Sequence, residues 1–226
     1  MLGVMRPNLS PPVLFAFIAG IVLLMAIVQI GLVSIGFEKL GLSQQSAMLL
    51  LFSSLLGSVI NLPLFSMKVD EPENPPAPKQ LYGLLRPALL PFNGQMQVMV
   101  NVGGCLIPIT FSLFLYTHSA IEPTRVVLAI AIMSAIAYAM SRPIQGIGIG
   151  MPIFAAPIAA AIIAILVDPA HSAPLAYICG TTGVIIGADL LRIHNIRAFG
   201  VPFASIGGAG TFDGIFMTGL VAVLLA

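Results

Sequence analysis

The chain has 226 residues, of which 58% are hydrophobic and only 8% charged, with a mean hydropathy of +1.07. A soluble globular domain carries about 25% charged residues. The composition therefore excludes that class and points to one integral membrane domain over residues 1–226, with the lipid bilayer as its medium. The net charge of +1 argues against nucleic acid as a partner.

A spanning helix needs ~20 mostly apolar residues. In chain order, segments 13–36, 45–66, 98–117, 123–141, 152–167, 173–191 and 206–226 meet this pattern. The expected fold class is all-α, a polytopic transmembrane helical bundle of about seven membrane segments. The first segment is longer than a signal-peptide core and has no A-x-A-like end, so it reads as a helix. The fifth is short and contains Pro157, which permits a tilted, kinked or re-entrant course. Between the second and third lies a cytoplasmic, proline-rich loop, 67–97. Its first part, "KVDEPENPPAPKQ", reads as extended chain. Its second, "LYGLLRPALLPF", is too short and too broken by proline to span, and reads as an interfacial segment.

Lysine and arginine set the orientation. With the N-terminus in the cytoplasm, Arg6, Lys68, Lys79, Arg86, Arg142, Arg192 and Arg197 fall inside, whereas Lys39 and Arg125 fall outside. The expected location is the cytoplasmic (inner) membrane, with the C-terminus outside.

Of the eight acidic residues, Glu38, Asp70, Glu71, Glu73, Glu122 and Asp168 belong to loops or their edges. Asp189 and Asp213 fall inside apolar segments. A carboxylate at a helix centre costs ~2.5–3.5 kcal/mol on insertion scales, so these two positions call for a use. Asp189 falls near the cytoplasmic end of the sixth segment. Asp213 falls about two turns into the seventh, roughly 10 Å deep. Sequential antiparallel helices are usually neighbours, which would bring the two carboxylates together. Gly183 and Gly187, and again Gly210 and Gly214, form GxxxG steps that permit close helix approach. Asn61 and Asn101 share the same expected depth. They read either as single helix–helix hydrogen bonds or as the lining of a wet cavity.

Two close carboxylates cannot both ionise easily, so one holds a proton. One can then take a proton from water while the other donates to a peptide carbonyl. The same pair could instead carry a proton or cation across the membrane. "RPIQGIGIGMP", 142–152, reads as a turn or as a short extended edge, with Gly146, Gly148 and Gly150 as candidates to hold an extended substrate by β-augmentation. No cofactor or metal is expected. His118 and His171 fall at outer ends and His194 on the opposite face, so they cannot share one ion. Cys105 and Cys179 lack ligand spacing and read as buried small hydrophobes.

The stretches "NVGGCLIPI" (101–109), "GADLL" (187–191) and "SIGGAGTFDGIF" (205–216) resemble an uncharacterised prokaryotic integral-membrane family, a domain of unknown function, over most of the chain from about residue 81. The placement of Asp189 and Asp213 is also similar to that in intramembrane aspartyl proteases such as presenilins and prepilin peptidases. Those set one aspartate on a helix and a second in a GxGD motif on another. Here the second motif reads GTFDG, with Gly210 three positions before Asp213. The resemblance implies an Asp189/Asp213 dyad that activates water and cleaves membrane or membrane-associated polypeptides. The alternative is a proton- or cation-coupled transporter using the same two carboxylates.

Overall fold

The computed structural model describes residues 31, 35–69, 94–144, 148–152, 154–197, 203–208, 215 and 217–226. In chain order its elements begin with helix α1 (Gln44–Gly57), strands β1 (Asn61–Lys68) and β2 (Gln95–Asn101), and a π-helical turn (Val102–Leu106) that runs into α2 (Ile107–His118). Next come α3 (Pro123–Met140), the short strands β3 (Arg142–Ile144) and β4 (Gly148–Gly150), and α4 (Ala155–Val167). A 3-10 turn (Pro169–His171) leads into α5 (Ser172–Val184), which continues as a second π-helical stretch (Ile185–Leu190). Short α6 (Ile193–Ile196), strand β5 (Phe203–Ile206) and α7 (Met217–Leu225) complete the set.

The protein is mostly helical, but it is not all-α. β1 pairs antiparallel with β2, Asn61 opposite Asn101 and Lys68 opposite Gln95. β5 lies on the other side of β2 and runs parallel to it, Val98 opposite Ala204 and Val100 opposite Ile206. β3 and β4 form a separate antiparallel ribbon. The reason is local. Ser58 closes α1 by donating its backbone N–H to the Ser54 and Leu55 carbonyls, and Pro63 cannot serve a helix interior. Pro63 instead sits on an edge strand, at an irregularity in register between Pro63 and Phe65, a position that tolerates the missing N–H. In "QMQVMVN" the buried apolar residues are Met96, Val98 and Val100, the alternation of a strand with one enclosed face.

The expectation of seven membrane segments is narrowed accordingly. Among the described residues two helices are long and apolar enough to cross a membrane, α3 with 18 residues and the run Pro169–Leu190 with 22. At 1.5 Å per residue these measure roughly 27 and 33 Å, against a hydrocarbon core of ~30 Å. Segment 45–66 ends as a helix at Gly57, and 98–117 starts as a strand. Segment 152–167 keeps 13 helical residues, and α7 has nine. Most of 13–36 lies outside the described residues, as does the middle of the 67–97 loop (70–93); the ends of that loop are paired strand.

α5 is the central helix and packs against α2, α3, α4 and α7. Leu175, Ala176, Tyr177, Cys179 and Thr181 are fully buried on it. Small residues set the distances. A Cβ on Gly183 would meet Met133, and one on Gly187 would run into the Ser134 carbonyl oxygen of α3. The Gly183/Gly187 step thus seats α5 on α3.

Candidate functional site

Asp189 lies in the π-helical stretch at the end of α5, and its side chain is buried. Single π-turns inside helices widen the ladder and occur frequently at functional sites. The Asp189 Oδ2 accepts the backbone N–H of Gly207 at 2.8 Å. Gly207 follows β5 with φ +67°, a left-handed conformation that glycine adopts without penalty. The fit is tight from the other side as well: a Cβ on Gly104, in the first π-helical turn, would strike the Gly207 carbonyl oxygen. One glycine thus joins β5, the first π-turn and the buried carboxylate.

Beside Asp189 is a cavity of about 30 Å³, lined by Val98 of β2, Ile149 of β4, Ile193 and Ile196 of α6, and Ala204, Ser205 and Ile206 of β5. That volume exceeds the ~10–15 Å³ needed to hold one water. The strand ribbon β3–β4 thus reaches the carboxylate through Ile149. β5 is the outer strand of its sheet, so the cavity lies between two short strands contributed by different sheets.

The expected polar layer is partly assembled. Asn101 Nδ2 donates to Asn61 Oδ1 at 3.1 Å and to the Ser58 carbonyl at 2.7 Å, while its Oδ1 accepts the Gly104 N–H at 2.7 Å. Asn101 is 2% exposed, and both ends of its amide are used, which buried amides require. Asn61 Oδ1 also accepts the Ser205 hydroxyl. The chain of contacts runs Asn101, Asn61, Ser205, and Ser205 borders the Asp189 cavity. Neither asparagine does. Their roles are to fix the β1–β2 start and the first π-turn.

Asp213, Gly210, Gly214 and Gly146 lie outside the described residues. Gly148 and Gly150 sit on β4, opposite Ile144 and Arg142. Gly187 packs on α3, as described above.

Two residues absent from the expected site matter here. Ser205 lines the cavity, and its only sequence signal is a hydroxyl just before the glycine run "IGGAG". Arg192, three residues beyond Asp189, anchors the helix end. Its guanidinium donates to the Tyr138 carbonyl at 2.7 Å, the Ser141 carbonyl at 3.0 Å and Ser141 Oγ at 3.3 Å, and it lies 4.0 Å over the Tyr138 ring. The carbonyls at α3's C-terminus carry partial negative charge, and a cation is favoured there.

The opposite end of α5 carries the other buried acid, Asp168, with Arg125 Nη1 at 3.2 Å and His171 Nδ1 at 3.1 Å. Lys39 Nζ donates to the Leu224 carbonyl at 3.2 Å, near α7's end, and the Ser172 hydroxyl donates to the Ala226 carbonyl at 3.2 Å. Among the described residues Lys39, Arg125, Glu38, Glu122 and Asp168 thus gather at one end, and Lys68, Arg142, Arg192 and Arg197 at the other. Arg197 ties this second group together by donating to the Lys68 carbonyl at 3.0 Å. No group of three His, Cys, Asp or Glu side chains converges among the described residues. Cys105 and Cys179 are buried free thiols.

A family model matches residues 55–225, which include Asp168, Asp189 and every strand among the described residues. The chain belongs to the family described as Protein of unknown function (DUF1614). No curated protein and no solved structure matches it.

Proposed function

We propose that the protein is a membrane-embedded aspartyl peptidase in which Asp189 and Asp213 form the catalytic pair and the basic end of the bundle faces the cytoplasm. The observation that carries this reading is Asp189 itself. It is a buried carboxylate at the end of a long apolar helix, held by one backbone N–H and bordering a water-sized cavity flanked by two strands. A carboxylate in such a place is costly and marks function by default. In the reaction, one carboxylate takes a proton from water as the water oxygen bonds to the carbonyl carbon. The protonated partner donates to the carbonyl oxygen. The C–N bond then breaks as the departing nitrogen gains a proton. Strands β4 and β5 supply edges on which an extended polypeptide can lie. The bias of Lys68, Arg142, Arg192 and Arg197 to one end supports the orientation.

The test uses full-length protein in liposomes with single-span reporter polypeptides. Asp189→Asn and Asp213→Asn should each abolish cleavage, non-additively, because paired groups act as a unit. A hydroxyl-bearing peptide inhibitor should bind the wild type. Intact reporters across a broad panel, with no inhibitor binding, would overturn the proposal.

A second reading is proton- or cation-coupled transport. It is favoured by the buried hydroxyls of Tyr177, Thr181 and Thr218, which place polar groups on α5 and α7 between the levels of Asp168 and Asp189. Asp189-dependent proton or cation flux in the same liposomes, without cleavage, would select it.

A further inference from the structure

The basic end of the bundle has a second groove, whose lining shares no residue with the Asp189 cavity. It is about 600 Å³ in volume and lies between the end of α3 and the β3–β4 ribbon. Its walls are Ala139, Met140, Ile144, Gly150, Met151 and Pro152, and its one charged wall residue is Arg142. Arg142 is exposed and has no carboxylate partner among the described residues. The Tyr138 and Ser141 carbonyls at this helix end already accept the Arg192 guanidinium. The groove opens beside α3, whose Val127, Leu128, Ile132 and Tyr138 are exposed, so an apolar chain lying in it would continue along an apolar surface.

We infer that this groove binds an anionic phospholipid, with the headgroup phosphate on Arg142 and an acyl chain against Ile144, Met151 and the end of α3. The chemistry is complementary on both counts. A guanidinium pairs with phosphate in a two-pronged geometry, and the apolar walls suit hydrocarbon. At this end the described residues present four cations, and the one described acid, Asp189, is buried and bonded inside. Basic pockets at the cytoplasmic ends of membrane helices bind anionic headgroups on this principle. The inference rests on the membrane reading and is independent of the peptidase proposal.

The experiment is native mass spectrometry of the full-length, detergent-solubilised chain titrated with phosphatidylglycerol or phosphatidylcholine. Wild type should retain phosphatidylglycerol preferentially, and Arg142→Gln should lower that preference roughly fivefold, the effect of one cation at a membrane surface. Lys68→Gln, at the same end but outside the groove, should leave the preference nearly intact. Arg142→Lys should keep more of it than Arg142→Gln, which guards against a folding defect that any replacement of Arg142 would cause. Equal retention of both lipids by wild type overturns the inference, as does an unchanged preference in Arg142→Gln. An equal loss in Lys68→Gln overturns it in favour of a diffuse basic surface. Displacement of the lipid by glycerol phosphate at matching concentration overturns it in favour of a soluble anion. A chain that stays monodisperse without detergent would instead overturn the membrane reading, a result distinct from lost lipid selectivity.

Discussion

The run from Pro169 to Leu190 has a buried aspartate just before its start and another near its end, and the two are dressed differently. Asp168 has a guanidinium and an imidazole within 3.2 Å. Asp189 has a single backbone N–H and a cavity. A buried charge is tolerated when it is paired and fully hydrogen-bonded. Asp168 meets that condition and pins the start of α3, the end of α4 and the start of α5 to one another. Asp189 has no cationic partner among the described residues. The comparison separates an acid whose surroundings account for it from one whose surroundings leave chemistry available.

The largest expected effect tests that separation directly. Asp189→Asn should cut reporter cleavage by about 10³-fold or more, the scale of losing a general acid–base group, with an unchanged helical circular-dichroism spectrum. Asp168→Asn in the same assay should cleave at near wild-type rate. Equal losses in both variants would erase the distinction between the ends.

Gly207→Ala should come next. The new Cβ meets Gly104 backbone and Cys105 at a positive φ, so the melting transition should fall by an amount equivalent to ~2–3 kcal/mol. Wild-type stability would show that the β5 connection is not held as described.

Asp168 sharpens the other side. Burial pushes its carboxyl up, but the His171 hydrogen bond and charge, together with Arg125, outweigh this and hold it below the ordinary carboxylate range. A depressed folded-state value contributes stability that is present above the unfolded value and lost as pH falls through the folded one. Asp168→Asn should therefore melt lower than wild type near neutral pH, by roughly 1–2 kcal/mol given a half-exposed Arg125. The gap should close in acid. A gap that persists below the carboxylate range would assign the loss to packing. The smallest effect belongs to Ser205→Ala, which removes one donor to Asn61 and should cost ~1 kcal/mol or less, measured by the same melt.

Counting depth along apolar segments put Asn61 and Asn101 at one level, and the two do meet, but as strand partners across β1 and β2 rather than on helices. It failed for β1 and β2. β1 is exposed along most of its length, and in an apolar chain such a strand lacks the polar alternation that marks it. "NLPLFSMK" is apolar on both faces, and only the proline argued against a helix. "QMQVMVN" did carry a period of two, hidden by its fusion to the apolar run that follows. The pairing of Asp168 with Arg125 spans 43 positions (168 minus 125) and comes from helix packing that no local pattern encodes. Ser205 was missed because its importance lies in a neighbour, Asn61, far away in sequence. Gly183 and Gly187 read correctly as close-approach points, but the partner of Gly187 is α3, set by Ser134 and Ala137; Gly210 and Gly214 lie outside the described residues.

The bond from Gly207 to Asp189 also has a bearing on biogenesis. β5 joins β2 in parallel, with about a hundred residues of intervening chain, so this pairing has a high loop-closure cost and must come late. Asp189 enters the chain 18 residues before the N–H that satisfies it. The carboxylate gains that partner only when β5 docks.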